Sequence, residues 1–108
     1  MLKKTILSPK VRSEVKEFEK SLNRSGIKVV AVYVFGSYAK GKANPKSDID
    51  VAVISHAFGR DRQGERVGLM SLSQKIDTAI EPHPFSPEDF DDRYYPLSQE
   101  VKKTGIKI

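Results

Sequence analysis

Asp48 and Asp50 stand two residues apart at the head of an apolar run, Ile49-Asp50-Val51-Ala52-Val53-Ile54, and a Gly36-Ser37 pair precedes them with ten residues between. In an extended strand, residues two apart share a face, so both carboxylates project to one side with Cα atoms about 6.5–7 Å apart. Ile49, Val51 and Val53 then point the other way, into a core. Like charges so close repel, and each loses hydration against an apolar strand. A divalent cation relieves both costs. Hard carboxylate oxygens with room left for water and phosphate suit Mg²⁺ or Mn²⁺. Taken alone, Asp-x-Asp reads more simply as two solvated aspartates at the mouth of a strand.

The upstream pair changes that balance. A glycine at a strand end, followed by a short helical turn, presents backbone N–H groups to an anion and lets a phosphate approach closely. Ser37 adds a hydroxyl donor, while Gly41, Lys42 and Lys46 give the connecting loop flexibility and positive charge. A glycine-serine turn by itself is ordinary turn chemistry. At average residue usage, all four positions in this spacing arise by chance in about one chain of this length in a thousand.

These residues need elements to hold them. Ser8-Pro9 followed by Val11, Val15, Phe18 and Leu22 predicts an amphipathic helix, capped by Ser8 and stopped by Gly26. Residues 27–35 are continuous and β-branched, which predicts a central strand buried on both faces. Residues 38–41 suit one helical turn, 42–47 a loop around Asn44-Pro45, and 48–55 a second strand. A polar stretch with Arg60, Arg62 and Arg66, read as a solvated face, leads into a helix over 65–76. Residues 78–85 form a third strand, placed at a sheet edge by Pro82 and Pro84, neither of which can donate to a ladder. Ser86 and Asp89 make a capping box for a short helix, and 96–103 a last helix ended by Gly105 before a tail over 106–108. The predicted fold class is α/β (α+β), a small mixed sheet of about three to four strands with helices packed against it.

Composition sets the outer bounds. The 108 residues predict one domain over 1–108, and 38% apolar content is enough for one modest core. No apolar stretch approaches the ~20 residues of a membrane span. The opening residues carry a basic pair but no apolar run suited to a secretory signal, so the cytoplasm is the expected compartment. With no cysteine, disulfides, thiolate zinc sites and cysteine nucleophiles are excluded. The net charge of +5 favours an acidic partner or is a solubilising surface excess. With no aromatic stacking platform and no helix-turn-helix pattern, nucleic acid is an unlikely partner. His56 and His83 read as surface residues, although His83 shares strand parity with Glu81 and Phe85 and would line the edge of a site. Tyr38 is placed either beside a nucleotide or in the packing of the turn. Tyr94-Tyr95-Pro96-Leu97 is expected to pack back on the core or to meet a partner.

Gly36-Ser37 followed by Ser47-Asp48-Ile49-Asp50-Val51-Ala52-Val53 resembles the signature of the nucleotidyltransferase superfamily that includes DNA polymerase beta. More closely, the chain resembles the minimal nucleotidyltransferase (MNT) proteins of bacteria and archaea, from the first helix through the third strand. The resemblance implies the polymerase beta-like nucleotidyltransferase fold. It also implies Mg²⁺ held by Asp48 and Asp50, a nucleotide triphosphate gripped by Gly36, Ser37 and Ser47, and a third carboxylate on the next strand. Asp77 and Glu81 compete for that role. Glu81 lies mid-strand and is preferred, with Asp77, at the helix end, in reserve; many relatives carry Asp there. Relatives also often carry Arg near Tyr38 and Lys40.

The implied chemistry is metal-assisted attack of a hydroxyl on the α-phosphorus, with pyrophosphate leaving and Glu81 completing the metal set or taking the acceptor's proton. MNT proteins of this kind act as antitoxins beside a HEPN-domain ribonuclease toxin. The resemblance therefore implies transfer of AMP from ATP to a toxin tyrosine within a hetero-oligomer. The alternative is a non-catalytic antitoxin or nucleotide-binding subunit that neutralises its partner by occlusion, for which an acid triad is not needed.

Overall fold

A computed structural model describes residues 7–108. The reading of the chain's opening as no secretory signal rests partly on residues 1–6, outside the described residues. Helix α1 (Pro9–Arg24) buries Val11, Val15, Phe18 and Leu22, the stripe seen in the sequence. The Ser8 hydroxyl caps it by accepting from Val11 N–H at 3.2 Å, and Gly26 ends the run at φ +90°.

Strand β1 (Ala31–Phe35) is shorter than the predicted 27–35. The Lys28 carbonyl accepts from the Ser55 hydroxyl at 2.7 Å, a side-chain bond in place of a ladder bond, and Val30 is 55% exposed. Ile27 and Val29 pack against the core from outside the strand. The chain turns over residues 36–41 and returns as β2 (Ile49–Ile54), antiparallel to β1, with Asp48 just ahead of the strand.

Helix α2 (Arg62–Ser73) starts and ends about one turn earlier than its periodicity predicts. Asp61 caps it by accepting from Gly64 N–H at 3.1 Å. The Glu65 carboxylate reaches back to the N–H groups of Gly59, Arg60 and Asp61 at 3.0–3.3 Å. This acid-rich start satisfies donors that a helix opening at Glu65 would leave unpaired. Parallel pairing requires such a crossover, and α2 delivers β3 (Ile80–Phe85) alongside β2.

The sheet order is β3-β2-β1-β4, so β3 is an edge strand. Ala79 and Phe85 carbonyls accept from Ile49 and Ser55 N–H at 2.7 and 3.0 Å, so the odd positions of this segment face β2. Pro82 and Pro84 therefore fall on the outward side, where no donor is needed and further strand pairing is blocked. After α3 (Pro87–Asp91) and α4 (Pro96–Thr104), the predicted tail becomes a short strand β4 (Ile106–Lys107), antiparallel to β1.

Alternation gives the sheet two covered faces. Val32, Val34, Ile49, Val51, Val53 and Ile80 join α1 and Leu69 of α2 in one cluster. Phe35, Ala52, Ile54 and Phe85 join Val101 of α4 in another, with Tyr33, Phe90, Tyr95 and Leu97 around it. Among the described residues no helix is long and apolar enough to cross a membrane. The carboxylate of Asp50 shares the face of this second cluster, at its end.

Candidate active site

One rung crosses three strands: Phe35 is the register partner of Asp50, and Asp50 of Glu81. Adjacent strands lie about 4.8 Å apart, so the rung alone brings the two carboxylates together. Gly36, next in chain after Phe35, has φ +73°, and a Cβ there would collide with the Asp50 carboxylate. The close approach that glycine permits at this turn is thus to Asp50, a constraint hidden in the Gly-Ser motif.

His83, two residues after Glu81 on the same face, completes the group. Oxygens of Asp50 and Glu81 and a ring nitrogen of His83 lie within 4.8 Å of one another. The His83 Nε2 is 3.4 Å from Asp50 Oδ1, and the two side chains are 16% and 28% exposed. The Phe35 ring meets the imidazole edge-on at 5.3 Å and fixes its plane. Arg66 of α2 donates to Glu81, and its Nε is buried without a partner. Beyond lies a recess of about 290 Å³ bordered by Arg62, Arg66, His83, Tyr95 and Leu97. Arg62 pairs with Asp89 at 2.9 Å and lies over the Tyr95 ring at 4.6 Å. The hydrogen bond to Asp89 holds its guanidinium pKa above the ordinary value.

The expected residues divide. Asp50 and Glu81 meet; Asp48 and Ser37 are exposed nearby in the chain and do not belong to the three-residue group. Ser47 accepts from Asn44 N–H at 3.0 Å and lines a separate recess of about 300 Å³ with Tyr38, Ile49 and Asp77. Asp77 accepts from Ala79 N–H at 2.8 Å and lines one recess with Glu14 of α1, outside the group that Asp50 joins. Two expectations are corrected. Arg62 and Arg66 are not a simple solvated face, since one stacks on Tyr95 while the other reaches Glu81 around the edge strand. His83 is not a surface residue but mostly buried. Strand parity with Glu81 was the available signal for His83; for Arg66 it was the one-turn spacing from Arg62.

Residues 10–106 match the nucleotidyltransferase domain family. The chain belongs to the nucleotidyltransferase family. Over 104 residues it is 31% identical to a probable protein adenylyltransferase MntA of Haemophilus influenzae, covering 90% of each chain. A solved toxin–antitoxin structure with AMP-PNP superposes with TM-score 0.63 at 27% identity, over 85% of this chain and 69% of that one. A mutant MntA–HpeT toxin–antitoxin structure gives 0.62 at 26% identity, over 87% and 70%. This nucleotidyltransferase is therefore MntA-like in sequence and fold.

A nucleotidyltransferase of this type needs a divalent cation, and its residues can be tested for one. Ligand atoms at about 2.0–2.4 Å from an ion lie at most about 4.8 Å apart. The Asp50, Glu81 and His83 donors meet that limit without backbone movement. Arg66 pairs with Glu81 in the same place, so a bound cation would share that carboxylate with it. The donor set fits.

Proposed function

We propose that this nucleotidyltransferase is an antitoxin that transfers AMP from ATP to a tyrosine of a HEPN-type partner toxin. The observation that carries this reading is the Asp50–Glu81 rung, closed by a glycine whose missing side chain makes room for the Asp50 carboxylate. Asp48, Asp50 and Glu81 hold Mg²⁺, with Asp48 turning in from its exposed position beside the strand. The cation, when bound, neutralises triphosphate charge and stabilises the charge that develops at the α-phosphate.

The remaining work falls to the chain's own groups. Ser37 and the backbone of the turn after Gly36 bind the triphosphate tail. Ser47 acts through the turn it closes with Asn44, which sets the approach of Asp48. Lys40, paired with Glu100 at 2.9 Å, ties that turn to α4. The tyrosine oxygen attacks the α-phosphorus, its proton passes to Glu81, and the bond to the β-phosphate oxygen breaks to release pyrophosphate. The acceptor hydroxyl in this reading is the partner's tyrosine.

The test is α-labelled ATP incubated with this protein, Mg²⁺ and the candidate toxin, beside an Asp48→Asn/Asp50→Asn double variant. Label on the partner with wild type alone is the expected result. Partner binding by both proteins without label on either would instead support neutralisation by occlusion.

A further inference from the structure

We propose that His83 is a nitrogen ligand of the cation held by Asp50 and Glu81, and that the site therefore takes Mn²⁺ in preference to Mg²⁺. The inference rests on the reading above that these two carboxylates bind a cation. It concerns a residue outside the Gly-Ser and Asp-x-Asp signature.

Three observations carry it. The Nε2–Asp50 Oδ1 hydrogen bond, at 3.4 Å, is long and weak, so a cation between the two atoms would displace little. The ring is nevertheless held: it is 16% exposed, meets Phe35 edge-on at 5.3 Å, and borders the recess shared with Tyr95 and Leu97. Its donor atom stands with one oxygen from each carboxylate within the span of one coordination sphere, 4.8 Å. A ring held at that place by packing, with only a long hydrogen bond to give up, is arranged as a ligand.

The consequence follows from ligand chemistry. Mg²⁺ favours an all-oxygen octahedron and gives up water reluctantly, whereas imidazole suits the transition ions. Two carboxylates with one imidazole leave open positions for phosphate oxygens while biasing the site toward Mn²⁺. Nothing in an Asp-x-Asp pair plus a third acid would create that bias, since every donor there is an oxygen.

The test uses the whole chain with metal alone. Free Mn²⁺ is followed by electron paramagnetic resonance to obtain an affinity, and pulsed spectra of the bound ion report whether nitrogen is coordinated. Wild type is expected to show nitrogen modulation. His83→Gln, which keeps a hydrogen-bonding group of similar reach, is expected to lose the modulation and weaken Mn²⁺ binding about tenfold or more. Competition by Mg²⁺ should be poor in wild type and improve in the variant. Bound Mn²⁺ without nitrogen modulation in wild type overturns the proposal, whatever the variant's folding. Loss of Mn²⁺ binding in Asp50→Asn but not in His83→Gln would also overturn it while leaving the carboxylate site intact. If wild type binds no Mn²⁺, both this inference and the cation site it rests on fail.

Discussion

The fold brings carboxylates together in two places, and it treats them differently. Glu14 and Asp77 face one recess between α1 and the approach to β3. The bond to Asp77, then burial, raises the Glu14 pKa; the same bond, then the Ala79 N–H, lowers that of Asp77. Opposite shifts in the two acids ease their repulsion by favouring the proton on Glu14 over Asp77. Asp50 and Glu81 have no such arrangement. Asp50 has a ring nitrogen at 3.4 Å, and Glu81 a guanidinium that reaches it from a neighbouring helix. Repulsion eased within the pair marks a structural contact, whereas two carboxylates brought to one rung beside a ring nitrogen and a guanidinium mark a place where a cation belongs.

The sharpest way to break this contrast is to neutralise one acid from each place. Asp50→Asn is expected to lower nucleotide transfer on the order of a thousandfold. Its thermal stability should hold or rise, since a repulsive charge is removed. Asp77→Asn should leave transfer nearly intact and lower stability instead, because the Asp77 carboxylate accepts from Ala79 N–H. Equal losses of transfer in the two variants would erase the distinction. Next in size is Gly36→Ala. Its methyl group would strike the Asp50 carboxylate, and alanine resists φ +73°. The strain costs about 1–2 kcal/mol of stability. Cation affinity and transfer should fall together, and retention of both would show that Asp50 has slack.

Arg66→Gln gives a smaller effect of opposite sign. Removing the charge that competes for Glu81 should tighten Mn²⁺ binding without nucleotide by about three- to tenfold at low salt. Unchanged affinity would mean that the Arg66–Glu81 pair, with both side chains at least a third exposed, is an ordinary surface contact.

Much of the site's scaffold was legible because it rests on period and punctuation. The α1 stripe, the Ser8 and Ser86 caps and the edge position of β3 all follow from residues within a few positions of one another. The rung itself depends on the pairing of β1, β2 and β3, which only the fold supplies. What the sequence concealed depends on pairings between distant segments. Nothing local in Ile106-Lys107 foretells an edge partner for β1. The reach of Arg66 around the edge strand depends on how far α2 sits from β3. The burial of His83 depends on Phe35 and α4 closing over it. The start of α2 was a local signal read too late: Asp61 and Glu65 together mark its first turn.

The gentlest test lies at the other carboxylate pair and turns on pH. Glu14 has a raised pKa in the fold, so the stability it contributes is full below its unfolded value and is lost as pH rises through the folded one. Asp77, lowered, contributes in the reverse sense: its share is present above its unfolded value and is lost as pH falls through the folded one. Ionising Glu14 beside Asp77 as pH rises is therefore unfavourable. Lys10, 3.9 Å from Glu14 Oε1 and itself 83% exposed, offsets little of that repulsion. Glu14→Gln cannot ionise, and its amide still donates to Asp77. Its melting temperature is expected to exceed wild type by a few degrees at neutral pH, and the gain should vanish near pH ~4, where wild-type Glu14 recovers its proton. Melts of both proteins at the two pH values decide the matter. A gain that persists undiminished in acid would mean that packing, not the ionisation of Glu14, distinguishes this pair from Asp50 and Glu81.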